Sequence, residues 1–208
     1  EQVVVLDDSS RGSVDRLADI ADRFELIRGD VRDAETVARA LEGIDVVCHL
    51  AFVNGTRFFY QRPRDVLEIG VKGILNVLDG CKRHGVKELI VASSSEVYQT
   101  PPSVPTDERV PLSIPDVFNP RYSYAGGKII TELLAIHYAE QFERVVIFRP
   151  HNVYGPNMGW DHVLPEFVLR LEELKRTQSG DAPLPFEIQG NGEQSRAFVF
   201  LDDFISGV

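Results

Sequence analysis

The chain has 208 residues, 43% hydrophobic and 26% charged, with 22 Lys and Arg against 32 Asp and Glu. That length buries a substantial core without a disulfide or metal staple, and the composition excludes disordered, collagen-like and coiled-coil chains. A net charge of −10 argues against nucleic acid as the main partner, because duplex binders carry a basic excess, while a small anionic ligand needs only a few local donors.

The first apolar run, Val3–Leu6, ends in Asp7-Asp8. A carboxylate at a strand end reads either as an ordinary turn residue or as an acceptor for ribose hydroxyls. Ser13–Ala21 sets Val14, Leu17, Ala18 and Ala21 on one helical stripe. Phe24–Ile27 is the next strand, followed by Gly29-Asp30-Val31, which puts a carboxylate within reach of an adenine amino group. Asp33–Leu41 is a helix opened by an Asp cap, and Asp45–Leu50 a third strand. Asp65–His84 is a longer helix, stopped by Gly85. Glu88–Ala92 is a fourth strand, and Ser93-Ser94-Ser95-Glu96-Val97-Tyr98 follows it. Hydroxyls at a strand's carboxyl end suit hydrogen bonding to a substrate alcohol. Thr100–Pro120 holds Pro101, Pro102, Pro105, Pro111, Pro115 and Pro120, the mark of an irregular surface loop. Tyr124–Phe142 is the fourth helical stretch and Val145–Phe148 the fifth strand. Arg149-Pro150-His151-Asn152 then offers groups for a ring amide or a phosphate. Beyond Pro150 the alternation weakens. Gln189–Asp203 there sets Arg196 after a glycine turn, either a solvated surface residue or a fork for a diphosphate.

Strands alternating with helices predict βαβ units and a parallel sheet wrapped by helices. The expected organisation is a domain over 1–150 and the start of a smaller substrate lobe over 151–208. Tyr124 and Lys128 lie one turn apart, so they share a helix face. An ammonium there is expected to lower the phenol's pKa and make Tyr124 a general base. Cys48 and Cys81 sit in or beside apolar runs and read as buried, reduced thiols. No run of 18 apolar residues marks a membrane span, and the five histidines form no metal-ligating cluster.

The series VVVLDD, RGDVRD, DVVCHLA, ASSSEVY, YSYAGGK, RPHNVYGP and QSRAFVFLDD resembles the extended short-chain dehydrogenase/reductase superfamily, in its NAD-dependent nucleotide-sugar epimerase/dehydratase branch. The resemblance implies a Rossmann-like doubly wound α/β fold, NAD as cofactor, a nucleotide-sugar substrate, a cytoplasmic location and a homodimer formed through a four-helix interface. It gives Tyr124 the role of base toward a sugar hydroxyl. Lys128 would bind the nicotinamide ribose and Ser94 the reacting hydroxyl. Asp7 would bind the adenosine ribose, with Asp30 and Val31 at the adenine and Leu50, Ala51 and Pro150 lining the cofactor. Ser95, Asn152 and Arg196 would contact the substrate, the last two at its diphosphate. The implied chemistry is transient oxidation at C4, followed by epimerisation, dehydration or decarboxylation. Glu96 tilts the choice toward dehydratase or decarboxylase chemistry, unless it only caps its turn. A non-catalytic nucleotide-binding relative is the alternative.

Two departures stand out. Gly70 replaces an Asn common in the family, and no glycine-rich strand-to-helix turn occurs. The family's first strand and phosphate loop, about 20–30 residues, are expected before Glu1. The 208 residues alone are therefore expected to fold marginally and bind NAD poorly, which a binding titration on them checks.

Overall fold

The structure, a computed structural model, describes residues 2–160, 162–177, 183–188 and 190–208. Gln189, which opens the stretch before Arg196, lies outside the described residues. The chain divides into two compact units, Glu1–Pro150 and His151–Val208.

In the first unit, β1 (Val3–Asp7) pairs in parallel with β2 (Phe24–Arg28). A second parallel sheet has the order β3 (Val46–His49), β4 (Glu88–Ala92), β5 (Arg144–Phe148). The predicted parallel α/β arrangement is therefore present, but as two sheets, since β1 and β3 share no ladder among the described residues.

Four α-helices of this unit lie among the described residues. α1 (Ala34–Ala40) starts on Asp33, whose carboxylate accepts from the amides of Glu35 and Thr36. α2 (Thr56–Gln61) is a short helix that the apolar periodicity does not announce. α3 (Pro63–His84) begins two residues before the predicted Asp65, because Pro63 occupies the first turn, where no amide partner is needed. Gly85 ends it in the left-handed conformation at φ 68°. α4 (Ser123–His137) ends before the predicted Phe142, and a 3-10 turn over Ala139–Gln141 completes the stretch.

The Ser13–Ala21 expectation needs correction. The segment forms 3-10 turns over Val14–Arg23 with a non-helical break at Ile20, and none of its residues is buried. A stripe that finds no core to pack against cannot sustain a regular helix.

One apolar cluster joins the two sheets. Val37 and Leu41 of α1, Ile74, Val77, Leu78 and Cys81 of α3, Leu89 and Val91 of β4 and Ala135 of α4 are buried, with Leu6 of β1 and Val47 of β3 against them. Cys81 is buried as expected, but Cys48 is exposed, because it falls on the open face of β3. The cluster's packing holds the carboxyl ends of the strands in place, where the candidate residues sit.

In the second unit, β6 (Asn152–Tyr154) pairs in parallel with β7 (Phe198–Phe200), with α5 (Val163–Thr177) between them in sequence and α6 (Leu201–Gly207) after.

Candidate active site

The Ser93–Tyr98 turn grows directly out of β4. The Ser93 amide donates to the Phe148 carbonyl at 2.8 Å and the Ser95 amide to the Pro150 carbonyl at 2.9 Å, so β5 fixes the turn's path. Ser94 then caps a 3-10 turn over Ser95–Tyr98, its Oγ accepting from the Glu96 amide at 3.2 Å. Glu96 is partly exposed and lies 3.4 Å from the Arg121 guanidinium.

α4 brings Tyr124 and Lys128 against this turn. Both are buried. Ser94 lies close enough to the Tyr124 phenol to favour its ionised form. Phe59 of α2 stacks on the Tyr124 ring at 5.0 Å, and Phe52 meets it edge-on at 5.2 Å. Lys128 Nζ donates to the Ala92 carbonyl at 2.7 Å, at the end of β4.

The electrostatics differ from the sequence expectation. Burial is the main influence on Tyr124 and raises its pKa, with Ser94 opposing the rise and Glu96 adding to it. Burial brings Lys128 down to about 7, although Glu132 favours its charged form. The lysine therefore does not make the phenol acidic: its ammonium is turned onto a carbonyl and lies 5.8 Å from the Tyr124 ring centroid.

Three residues of this cluster escaped the sequence reading. Glu132 lies one turn beyond Lys128, and the four-residue spacing of Tyr124, Lys128 and Glu132 was the signal that could have found it. It is buried and takes a two-pronged bond from Arg149 at 2.8 and 2.6 Å, and a short bond from the Ser93 hydroxyl. Arg149 also reaches the Tyr98 hydroxyl at 3.0 Å and the Glu108 carbonyl at 2.9 Å. The guanidinium offered above to a ring amide or phosphate is thus committed to an internal network. His49, at the end of β3, is buried with Nε2 lacking a partner; burial, then Lys128, brings its pKa down to about 4. Phe52 is the third.

The cofactor candidates occupy strand ends. Asp7 is exposed at the end of β1, its Oδ1 accepting from the Ser9 amide at 2.6 Å. Asp30 is held by Arg32 through both carboxylate oxygens, which keeps its carboxyl below the usual range. The Val31 carbonyl accepts from Asn76 Nδ2 of α3 at 2.9 Å. Leu50 is exposed, Ala51 half-buried, and Pro150 carries the carbonyl that anchors Ser95. In the second unit, Asn152 Nδ2 donates to the Ala197 carbonyl at 3.1 Å. That bond sets Asn152 and Arg196 at one end of the β6–β7 pair, with Arg196 exposed.

Known proteins similar to this chain identify its family. The family model "NAD dependent epimerase/dehydratase family" matches residues 1–208. A dTDP-4-dehydro-6-deoxy-D-allose reductase of Streptomyces bikiniensis is 33% identical over 199 residues, 88% of this chain and 56% of the relative. A UDP-glucose 4-epimerase of Mycolicibacterium smegmatis is 30% identical over 211 residues, 98% of this chain and 63% of the relative. A dTDP-glucose 4,6-dehydratase from Streptomyces venezuelae, solved with NAD bound, superimposes with a TM-score of 0.83 at 28% identity, covering 99% of this chain and 61% of that one. The chain spans about three fifths of the length of these relatives. Its fold is thus Rossmann-like, and the chain belongs to the NAD dependent epimerase/dehydratase family.

Proposed function

We propose that the chain carries the catalytic core of an NAD-dependent nucleotide-sugar epimerase or dehydratase, acting by transient oxidation at sugar C4. The observation that carries this reading is the buried Tyr124 phenol beside the buried Ser94, with Lys128 one turn along the same helix. In this reading Glu1–Pro150 binds the cofactor, and His151–Val208 begins the substrate lobe, with Ser95, Asn152 and Arg196 as substrate contacts. The assembly is a cytoplasmic homodimer.

The residues present fit NAD. Asp7 offers an exposed carboxylate at a strand end, and Ser9 Oγ beside it is buried without a partner, so the turn has polar capacity for a ribose. A Lys128 ammonium has three donors, and Ala92 takes one of them. Asp30, Val31, Leu50, Ala51 and Pro150 complete the cofactor set. When bound, NAD supplies the hydride acceptor and donor.

The chain's own residues move the proton. Ser94 holds the sugar hydroxyl, Tyr124 takes its proton, and Lys128 holds the ribose. Glu96 supplies the carboxylate for loss of water or carbon dioxide next to the C4 ketone.

One observation favours a second reading. Burial raises the Tyr124 pKa and so favours the protonated phenol. A protonated phenol suits donation to a 4-keto sugar, the direction named for the 33%-identical Streptomyces reductase.

NMR product analysis of the full-length protein with a panel of nucleotide sugars separates the two. Transient oxidation leaves the cofactor unchanged overall, whereas net reduction consumes reduced cofactor in step with product. Tyr124→Phe is expected to lose about 100-fold or more in kcat in either case. Full turnover by that variant overturns both readings.

A further inference from the structure

Phe52 lies three residues beyond β3, in the loop before α2. Its ring is seated where two helices carry no side chain. A Cβ at Gly70 of α3 would overlap the ring, and a Cβ at Gly127 of α4 would stand 2.8 Å from it. A glycine inside a helix costs stability relative to alanine, and both helices bear that cost where the ring rests. The same ring lies over the Lys128 ammonium, its centroid 4.1 Å from Nζ, and meets Tyr124 edge-on at 5.2 Å.

We propose that Phe52 is the positioning residue of the Tyr124–Lys128 pair: seated on the Gly70 and Gly127 backbones, its ring covers the ammonium, keeps water from it and holds it on the Ala92 carbonyl. The proposal rests on reading Tyr124 and Lys128 as the reacting pair. The ring supplies two things a polar cover would not. It is apolar, so it dries the site. Its negative face also attracts the cation it dries.

The titratable groups around Lys128 come from several elements. His49 faces it from β3 and is neutral. Tyr124 and Glu132 share its helix, and Glu132 is closed on Arg149, which follows β5. Glu96 bears on Tyr124 from the turn after β4. α3 presents Gly70. Of these titratable groups, Glu132 favours the charged lysine, and burial outweighs it.

The test is a titration of Lys128 in full-length protein carrying 13C at lysine Cε, with the signal assigned by its loss in Lys128→Met. The wild-type midpoint is expected at about 7. Phe52→Ala admits water and should raise the midpoint by about one pH unit or more. Phe52→Leu keeps the apolar cover but loses the ring face, so its midpoint should fall below the wild type. An ordinary lysine midpoint in the wild type overturns the proposal. So does an unmoved midpoint in either variant that keeps native circular dichroism. A ring with a merely structural role would lower the melting temperature and leave the titration alone. If Phe52→Ala does not fold, Phe52→Leu decides. Turnover is not needed for this outcome: should Tyr124→Phe stay fully active while the midpoints move as stated, the reading of the site fails and the cover stands.

Discussion

His49 shows how one buried side chain ties stability to pH. Its imidazole is 5% exposed, and Nε2 has no partner to stabilise a proton. Burial is the larger cause and the Lys128 charge the smaller in bringing its pKa from 6.5 to about 4. A histidine whose pKa falls on folding binds its proton more weakly in the native state. Its effect is therefore absent above 6.5 and grows into a penalty as pH falls from 6.5 toward about 4. The wild type should lose about 3 kcal/mol of unfolding free energy relative to His49→Leu between neutral pH and acid, an order of magnitude set by the shift. Urea titrations of the full-length protein at several pH values check this. Parallel curves for the two proteins would remove the burial account. Lys128 carries the same sign in a higher window: it stands at about 7 when folded against 10.5 ordinarily, so stability should climb as pH rises through that interval.

Two adjacent glycines on α4 give a sharper contrast than either alone. A Cβ at Gly127 would press on Phe52, while one at Gly126 would meet only Ile114 at 3.7 Å, an ordinary contact. Gly127→Ala should cost about 1–3 kcal/mol through overpacking. Gly126→Ala should add about 0.5–1 kcal/mol by helix propensity. Paired thermal melts check the opposite signs, and equal shifts would contradict the packing described. The Glu132–Arg149 pair binds α4 to the end of β5 in the same way. Glu132→Ala strands a buried guanidinium and should cost about 3–5 kcal/mol, while Glu132→Leu with Arg149→Met should recover most of it; urea unfolding measures both. These features also mark the limit of what the sequence made legible. The Asp33 cap, the Gly85 stop, the βαβ alternation and the Tyr124–Lys128 spacing depend on neighbours within one turn or one strand, and all were read directly. The Glu132–Arg149 link crosses 17 residues, and the roles of Gly70 and Gly127 exist only once the Phe52 ring is in place. The spacing predicts a lowered phenol pKa, against the rise that burial gives, for the same reason: a spacing reports that a lysine is near, but not that burial outweighs it. Ser13–Ala21 failed differently, as a true stripe with nothing to pack on.

α3 and α4 pack against each other on one side and present apolar side chains to solvent on another. Ile130, Leu133 and Ile136 of α4 are 39%, 51% and 53% exposed, and Leu67 of α3 is 38% exposed. Positions three apart are neighbours on a helix surface, so the α4 residues form one patch. Contiguous exposed apolar surface marks an interaction site, and two copies meeting through this helix pair make the homodimer proposed above. Charge works against it. A chain of net charge −10 repels its copy, and salt screens repulsion between exposed charges over about 10 Å at ~0.1 M. Burial of the patch must offset that repulsion, so the dimer should tighten as salt is added, the reverse of an interface held by ion pairs. Leu133→Glu places an unpaired carboxylate at the centre of the patch and should give monomer at concentrations where the wild type is dimeric. Size-exclusion chromatography with light scattering on the full-length protein, at low and high salt, reads both effects. A wild type that is monomeric throughout removes the homodimer. A dimer that survives Leu133→Glu moves the interface to another surface and leaves the apolar patch on α4 to a different partner.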